Sequence, residues 1–204
     1  MFYEPQLRDH GLPHDPFKAL VVPRPIGWIS TISADGTSNL APYSFFNICS
    51  SDPHMVMFSG ASRKGADPRK DSQRNAETTG CFVVNLVSRE LGDIMNRTAF
   101  PHPYGLSEAN LEGLALLPSI KVAAPRVACS PAHLECEYYS TVVLPKGHSG
   151  EHSSMVIGRV VGIHIDPAIL IDGLVDITRL EPLARLGYQD YAAVNQSFTM
   201  KRPR

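Results

Sequence analysis

Asn39-Leu40-Ala41-Pro42-Tyr43-Ser44-Phe45-Phe46-Asn47 is the stretch on which the fold turns. Small, amide and aromatic side chains sit side by side, and Pro42 has no amide proton to give to a ladder, so regular pairing stops at its nitrogen. Upstream, residues 26–33 are rich in β-branched side chains, and Asp35-Gly36 behind them is a strong hairpin signal. The return strand runs through residues 38–41 into the stretch, and residues 54–59 read as a third strand. Two readings stand side by side. In one, the stretch is a strand, a proline turn and buried phenylalanines. In the other, backbone groups freed at a sheet edge join Ser44 and Asn47 in hydrogen-bonding a flat polar ring walled by Phe45 and Phe46.

The chain has 204 residues and a net charge of −1. A single domain of this size buries roughly 70% of its extended surface. No Gly/Ser-rich or charge-rich linker divides it, so the expected organisation is an N-terminal arm, residues 1–19, with Pro5, Pro13 and Pro16, followed by one domain over residues 20–204. Basic and acidic residues are interspersed, which gives no basic field for nucleic acid. No apolar run reaches the roughly 18 residues that span a bilayer, and the N-terminus has no signal-peptide core. Cys49, Cys81, Cys129 and Cys136 form no C-x-x-C pair and read as free thiols. The expected compartment is the cytoplasm.

Downstream, Asp67 before Pro68 predicts a helix start, with Asp67 as cap, a polar helix over residues 69–78 and Gly80 at its end. Residues 81–87 read as a buried strand. Residues 89–96 read as a helix with Leu91, Ile94 and Met95 on one face. Ser107 is expected to cap a short helix reaching residue 115. Residues 133–144 and 154–165 are long strands, the second with Gly158 and Gly162 where a bend or close approach is permitted. Six or more strands with two or three helices predict a mainly β fold with helical caps, a small closed or split barrel.

No G-x-G-x-x-G is present, and the Gly60–Gly65 spacing lacks the Lys-Ser/Thr of a phosphate loop. His148 and His152 would need a third ligand to hold a metal, and no metal site is expected. One signal is positive. Arg63, Lys64, Arg69, Lys70 and Ser72 surround the start of the polar helix, where free N–H groups favour anions. The competing reading is a solvated charged helix balanced by Asp67 and Asp71. Together with the upstream stretch, the cluster suggests a ligand with a phosphate at one end and a flat ring at the other.

Arg24-Pro25-Ile-Gly-Trp-Ile-Ser-Thr31, Asp35-Gly36, residues 39–47 and Lys70-Asp71-Ser72 with Asn75 together resemble the flavin reductase-like, FMN-binding split-barrel family. The nearest branch is that of flavoredoxin and the reductase component of nitrilotriacetate monooxygenase. Weaker pieces follow at Asn85, Met95-Asn96, residues 135–137, residues 156–164, and residues 183–187 with Tyr191. The resemblance implies a homodimer with FMN near the subunit interface. It places Ser44, Phe45, Phe46 and Asn47 at the ring, Ser30, Thr31 and Ser59 along the ribityl chain, and Arg63, Lys70 and Ser72 at the phosphate. It puts Arg24 at either FMN or the partner subunit, and Arg185 and Tyr191 over the flavin region from the same chain or the other. Four residues depart from the family pattern: Gly27 for Ala, Ser72 for Thr, His54 for a second proline, and Tyr188 where a second glycine is common.

A flavin carries hydride or electrons itself, so no dedicated acid–base residue is required. The expected activity is an NAD(P)H-dependent flavin reductase passing hydride to flavin and on to a small acceptor or a partner oxygenase. The alternative is an FMN-holding electron carrier, served by a redox-protein partner, without its own turnover of NADH or NADPH. A weaker third reading is a structural relative that has lost FMN.

Overall fold

The computed structural model describes residues 1–63 and 67–203. In chain order the elements are α1 (Phe17–Leu20), β1 (Arg24–Pro25), β2 (Gly27–Ile32), β3 (Ser38–Tyr43), β4 (Phe46–Ser51), β5 (His54–Ala61), α2 (Asp71–Thr79) and β6 (Cys81–Leu86). A 3-10 turn over Arg89–Leu91 leads into α3 (Gly92–Arg97), followed by α4 (Glu108–Leu111), β7 (Leu116–Leu117), β8 (Arg126–Val127), β9 (Ala132–Val143) and β10 (Ser153–Ile165). The chain closes with β11 (Leu170–Ile171), β12 (Leu174–Val175), α5 (Ile177–Leu180), β13 (Leu183–Arg185) and β14 (Tyr191–Ala193).

Seven antiparallel strands form the main sheet in the order β3-β2-β6-β9-β10-β5-β4. β3 and β4 are neighbours in sequence but sit at opposite edges, so the Ser44-Phe45 connection draws the edges together. There the Tyr43 ring lies 4.7 Å from the Phe58 ring, and the Ser59 amide donates to the Phe45 carbonyl at 2.7 Å. The sheet thus curls into the split β-barrel that the motif implies. Ile29, Phe46, Val56, Phe58, Phe82, Val84 and Val156 fill its interior. β2 is buried on both faces, because its alternate residue Trp28 packs outward with Leu40, Met95, Val127 and Leu183 under α3.

Two glycines allow close packing. A Cβ on Gly27 would stand 2.8 Å from the Phe46 ring, which accounts for glycine in place of alanine there. A Cβ on Gly158 would overlap the Phe82 ring. Gly158 and Gly162 also mark the two register shifts between β9 and β10, as their positions in the strand predict.

The polar helix starts later than the sequence predicts, at Asp71, with Lys70 at the cap position and no side-chain cap. Asp67 is engaged locally instead: it accepts from the Arg69 amide at 3.0 Å and from the Arg69 guanidinium, a bond that competes with helix propagation. The Pro68 carbonyl accepts from the Arg63 amide at 2.7 Å and holds this segment against the end of β5. Gly80 terminates the helix in the left-handed conformation, as expected. Ser107 caps α4, but that helix ends at Leu111 rather than residue 115, and the chain reverses at Gly113, φ +66°. Unforeseen in sequence are β4 as a separate strand and the small sheet β1-β13-β14, which pairs Arg24 with Arg185.

Candidate functional site

The interrupted stretch makes a cleft of about 360 Å³. It is lined by Ser44, Phe45, Phe46, Asn47 and Met57 together with Phe17, Lys18, Val21 and the segment 23–25. Four expected ring residues and Arg24 therefore meet in one place. Phe45 and Asn47 are exposed at the mouth, whereas Phe46 is buried beneath.

Arg24 does not extend freely into this cleft. It is 8% exposed, and its guanidinium donates to the carbonyls of Lys18, of Val21 at 2.6 Å and of Leu186 at 2.7 Å. It thereby fastens the end of the arm and the C-terminal hairpin to the rim. Burial, with Arg185 nearby, lowers its pKa. Its Nε is buried without a partner.

β5 leads from the ring cleft to the charged corner. Met57 lines the cleft, and Gly60 lies three residues on, about 10 Å along a strand. A Cβ on Gly60 would stand 3.0 Å from Tyr43 and 3.2 Å from the Lys70 side chain, so the lysine stem lies directly over the strand. The Lys70 ammonium is 5.8 Å from the Tyr43 ring centre. Its pKa is lowered by burial and then by Arg63. Arg63 pairs with Asp71 at 2.8 Å. Two cations thus face one carboxylate at the start of α2, whose first amides have no partner within the helix. Burial pushes the Tyr43 hydroxyl up to about 12, so it stays protonated. Lys64, part of the expected cluster, lies outside the described residues. Arg69 is turned away to Asp67 and Glu77.

Three residues expected at the ligand are buried and hydrogen-bonded within the fold. Ser30 is 1% exposed; its hydroxyl donates to the Pro125 carbonyl and accepts from Asn85. Thr31 is fully buried and accepts from Asn39 and Asn75. The Ser72 hydroxyl, 1% exposed, accepts from Asn39 at 3.0 Å. Their side chains brace β2, β3 and α2 against one another instead of lining an open surface. Ser59, half-buried, lies between cleft and corner.

Arg185 and Tyr191 do not line the ring cleft. The Arg185 guanidinium lies 4.4 Å over the Tyr191 ring and donates to the Tyr191 hydroxyl and the Tyr188 carbonyl. Tyr191 lines a second cleft of about 260 Å³ with Arg89, Asp93, Asn96 and Leu183. Tyr188 has φ +55°, a conformation that glycine adopts at less cost. The residues missed in sequence are Phe17, Lys18, Val21 and Met57. Their place is set by Arg24 and by strand pairing, and no local signal marks them.

Among the described residues no group of three or more His, Cys, Asp or Glu is placed to hold a metal, and no helix is long and apolar enough to cross a membrane.

The flavin reductase-like domain model matches residues 19–180. An uncharacterised protein of Halalkalibacterium halodurans is 33% identical over 90% of this chain and 87% of its own length. The crystal structure of nitrilotriacetate monooxygenase component B from Bacillus cereus superposes with a TM-score of 0.86 at 28% identity, covering 98% of both chains. Flavoredoxin of Desulfovibrio vulgaris (Miyazaki F) shares the fold, with a TM-score of 0.74 at 22% identity over 89% of this chain and 91% of that one. This chain is a member of the flavin reductase-like, split-barrel family.

Proposed function

We propose that the chain is an FMN-dependent oxidoreductase that takes hydride from NADH or NADPH and passes it to a small acceptor or a partner oxygenase. The observation that carries this reading is the alignment of the ring cleft, β5 and the cationic corner, three parts that match a ring, a spacer and a phosphate. Arg63 and Lys70 with the first amides of α2 would hold the phosphate. Main-chain groups of residues 44–47 would hold the polar edge of the ring and stabilise negative charge there. Phe45 and Met57 would exclude water from one side. The flavin supplies hydride and electron chemistry when bound; the chain binds, orients and shields.

The homodimer belongs to the same reading. β4 is an edge strand with Asn47, Ile48 and Cys49 exposed. Beside it Ile48, Met55, Val160 and Ile163 line an apolar cleft of about 210 Å³. An apolar face next to a free strand edge suits a second copy. A partner chain would also be the route by which Arg185 and Tyr191 approach a flavin. All four cysteines are free, which suits the reducing cytoplasm.

The test is an FMN titration of the purified chain followed by NADH and NADPH oxidation. Binding with turnover is expected. Rates equal to buffer with both nucleotides, in protein that holds FMN firmly, would select the electron carrier instead. A chain that binds no FMN would end both. Sedimentation at the monomer mass would remove the dimer.

A further inference from the structure

The ring cleft has a wall that the family match barely reaches. Phe17 and Lys18 precede residue 19, where the matched region begins, yet both line the same cleft as Ser44–Asn47. They are held there firmly. Arg24 donates to the carbonyls of Lys18 and Val21. On the other side Ala19 packs so closely on Gly187 that a Cβ on that glycine would lie 2.8 Å from the Ala19 Cα. The Phe17 amide is fixed by the Asp15 carboxylate at 2.9 Å. The backbone of residues 17–21 is therefore a positioned wall.

The side chains on this wall are exposed. The Phe17 ring is 60% exposed, and Lys18 has no ion pair among the described residues. The residues lining the cleft include two cations, Lys18 and Arg24, and no carboxylate. Arg24 is engaged with three carbonyls, so the uncommitted charge is that of Lys18. The cations suited to an FMN phosphate stand elsewhere, at Arg63 and Lys70. An apolar cleft with one uncommitted ammonium in its lining complements a flat or apolar body bearing one anionic group.

We propose that Phe17 and Lys18 form a second-substrate subsite over the ring cleft, Phe17 packing on a flat body and Lys18 holding its carboxylate or phosphate. The proposal rests on the flavin reading above, because the ring it would stack over is the flavin. Its ligand chemistry has two sources: the phosphate of a nicotinamide nucleotide acting as hydride donor, or the carboxylate of an aromatic acid acting as acceptor.

The experiment is a calorimetric titration of the full chain at low salt, with and without FMN. The probes are benzoate, neutral benzamide and oxidised nicotinamide mononucleotide, none of which is turned over. Lys18→Glu is expected to weaken at least one anionic probe about tenfold and Lys18→Gln about threefold, as an exposed charge allows, while benzamide and FMN affinity stay unchanged. Phe17→Ala is expected to weaken benzoate and benzamide alike. Loss confined to the mononucleotide assigns the subsite to the donor, and loss confined to benzoate assigns it to the acceptor. Anionic probes that bind Lys18→Glu as tightly as the parent would overturn the proposal. So would FMN affinity falling in step with probe affinity, or benzoate and benzamide binding untouched by Phe17→Ala. FMN failing to bind the parent chain would defeat the flavin reading by itself, and the probe titrations on the flavin-free chain would still decide the role of Lys18.

Discussion

At the ring end of the candidate site, between Ser44 and Met57, the groups left for a ligand are main-chain polar atoms and apolar side chains. At the α2 end they are two cations, Arg63 and Lys70, set against one carboxylate. The buried hydroxyls of Ser30, Thr31 and Ser72 bond instead to neighbouring elements of the fold. The contrast separates two kinds of polarity: cations that outnumber the carboxylate beside them keep charge for a ligand, whereas a buried hydroxyl bonded to neighbouring elements serves the fold.

The largest expected effect breaks the rim that both ends share. Arg24→Met removes the donor for three carbonyls and should cost about 3 kcal/mol or more of stability. A denaturant melt and faster proteolysis of the arm would register it. Next, Arg63→Ala with Lys70→Ala should weaken FMN about a hundredfold by removing two charge-assisted contacts, with a small change in melting. Ser72→Ala should do the reverse: it leaves the Asn39 amide short of a partner, costs about 1–2 kcal/mol in a melt, and changes FMN affinity less than threefold. If Ser72→Ala instead weakens FMN while leaving stability intact, the hydroxyl faces the ligand and the contrast fails.

The pH dependence sharpens the charged end. Burial and Arg63 lower the Lys70 pKa in the free chain, and a bound phosphate would raise it again. FMN affinity should therefore decline as pH rises through the lowered Lys70 pKa, at a lower pH than an ordinary lysine would give. Lys70→Met should flatten that decline in a titration series. The smallest effect is at Tyr188: glycine there relieves a left-handed φ of +55°, worth about 1 kcal/mol. Loss of the tilted contact with His14, with ring centres 5.7 Å apart, offsets part of it in a melt.

The hairpin at Asp35-Gly36, the buried strand at Cys81, the Gly80 cap and the two long strands were legible because each rests on local chemistry: turn residues, β-branched runs, a glycine where φ turns positive. The cap of α2 was misplaced by three residues, Asp67 for Lys70, because the Asp67 carboxylate has two local uses, capping a helix or binding Arg69, and the sequence alone does not rank them. The ring stretch was legible through Pro42 and the paired phenylalanines. Phe17, Lys18 and Met57 were not, since nothing near them in the chain marks a cleft.

By itself the sequence determined the mainly β fold, the interrupted strand at 39–47 and the cationic start of the polar helix, all consequences of side-chain type and spacing within a few residues. Only the tertiary structure decided which polar groups remain free. Burial and partnering join residues far apart, such as Ser30 with Pro125, Asn39 with Ser72 and Arg24 with Leu186. A hydroxyl buried among its partners serves the fold, whereas cations in excess of the carboxylates beside them keep charge for a ligand.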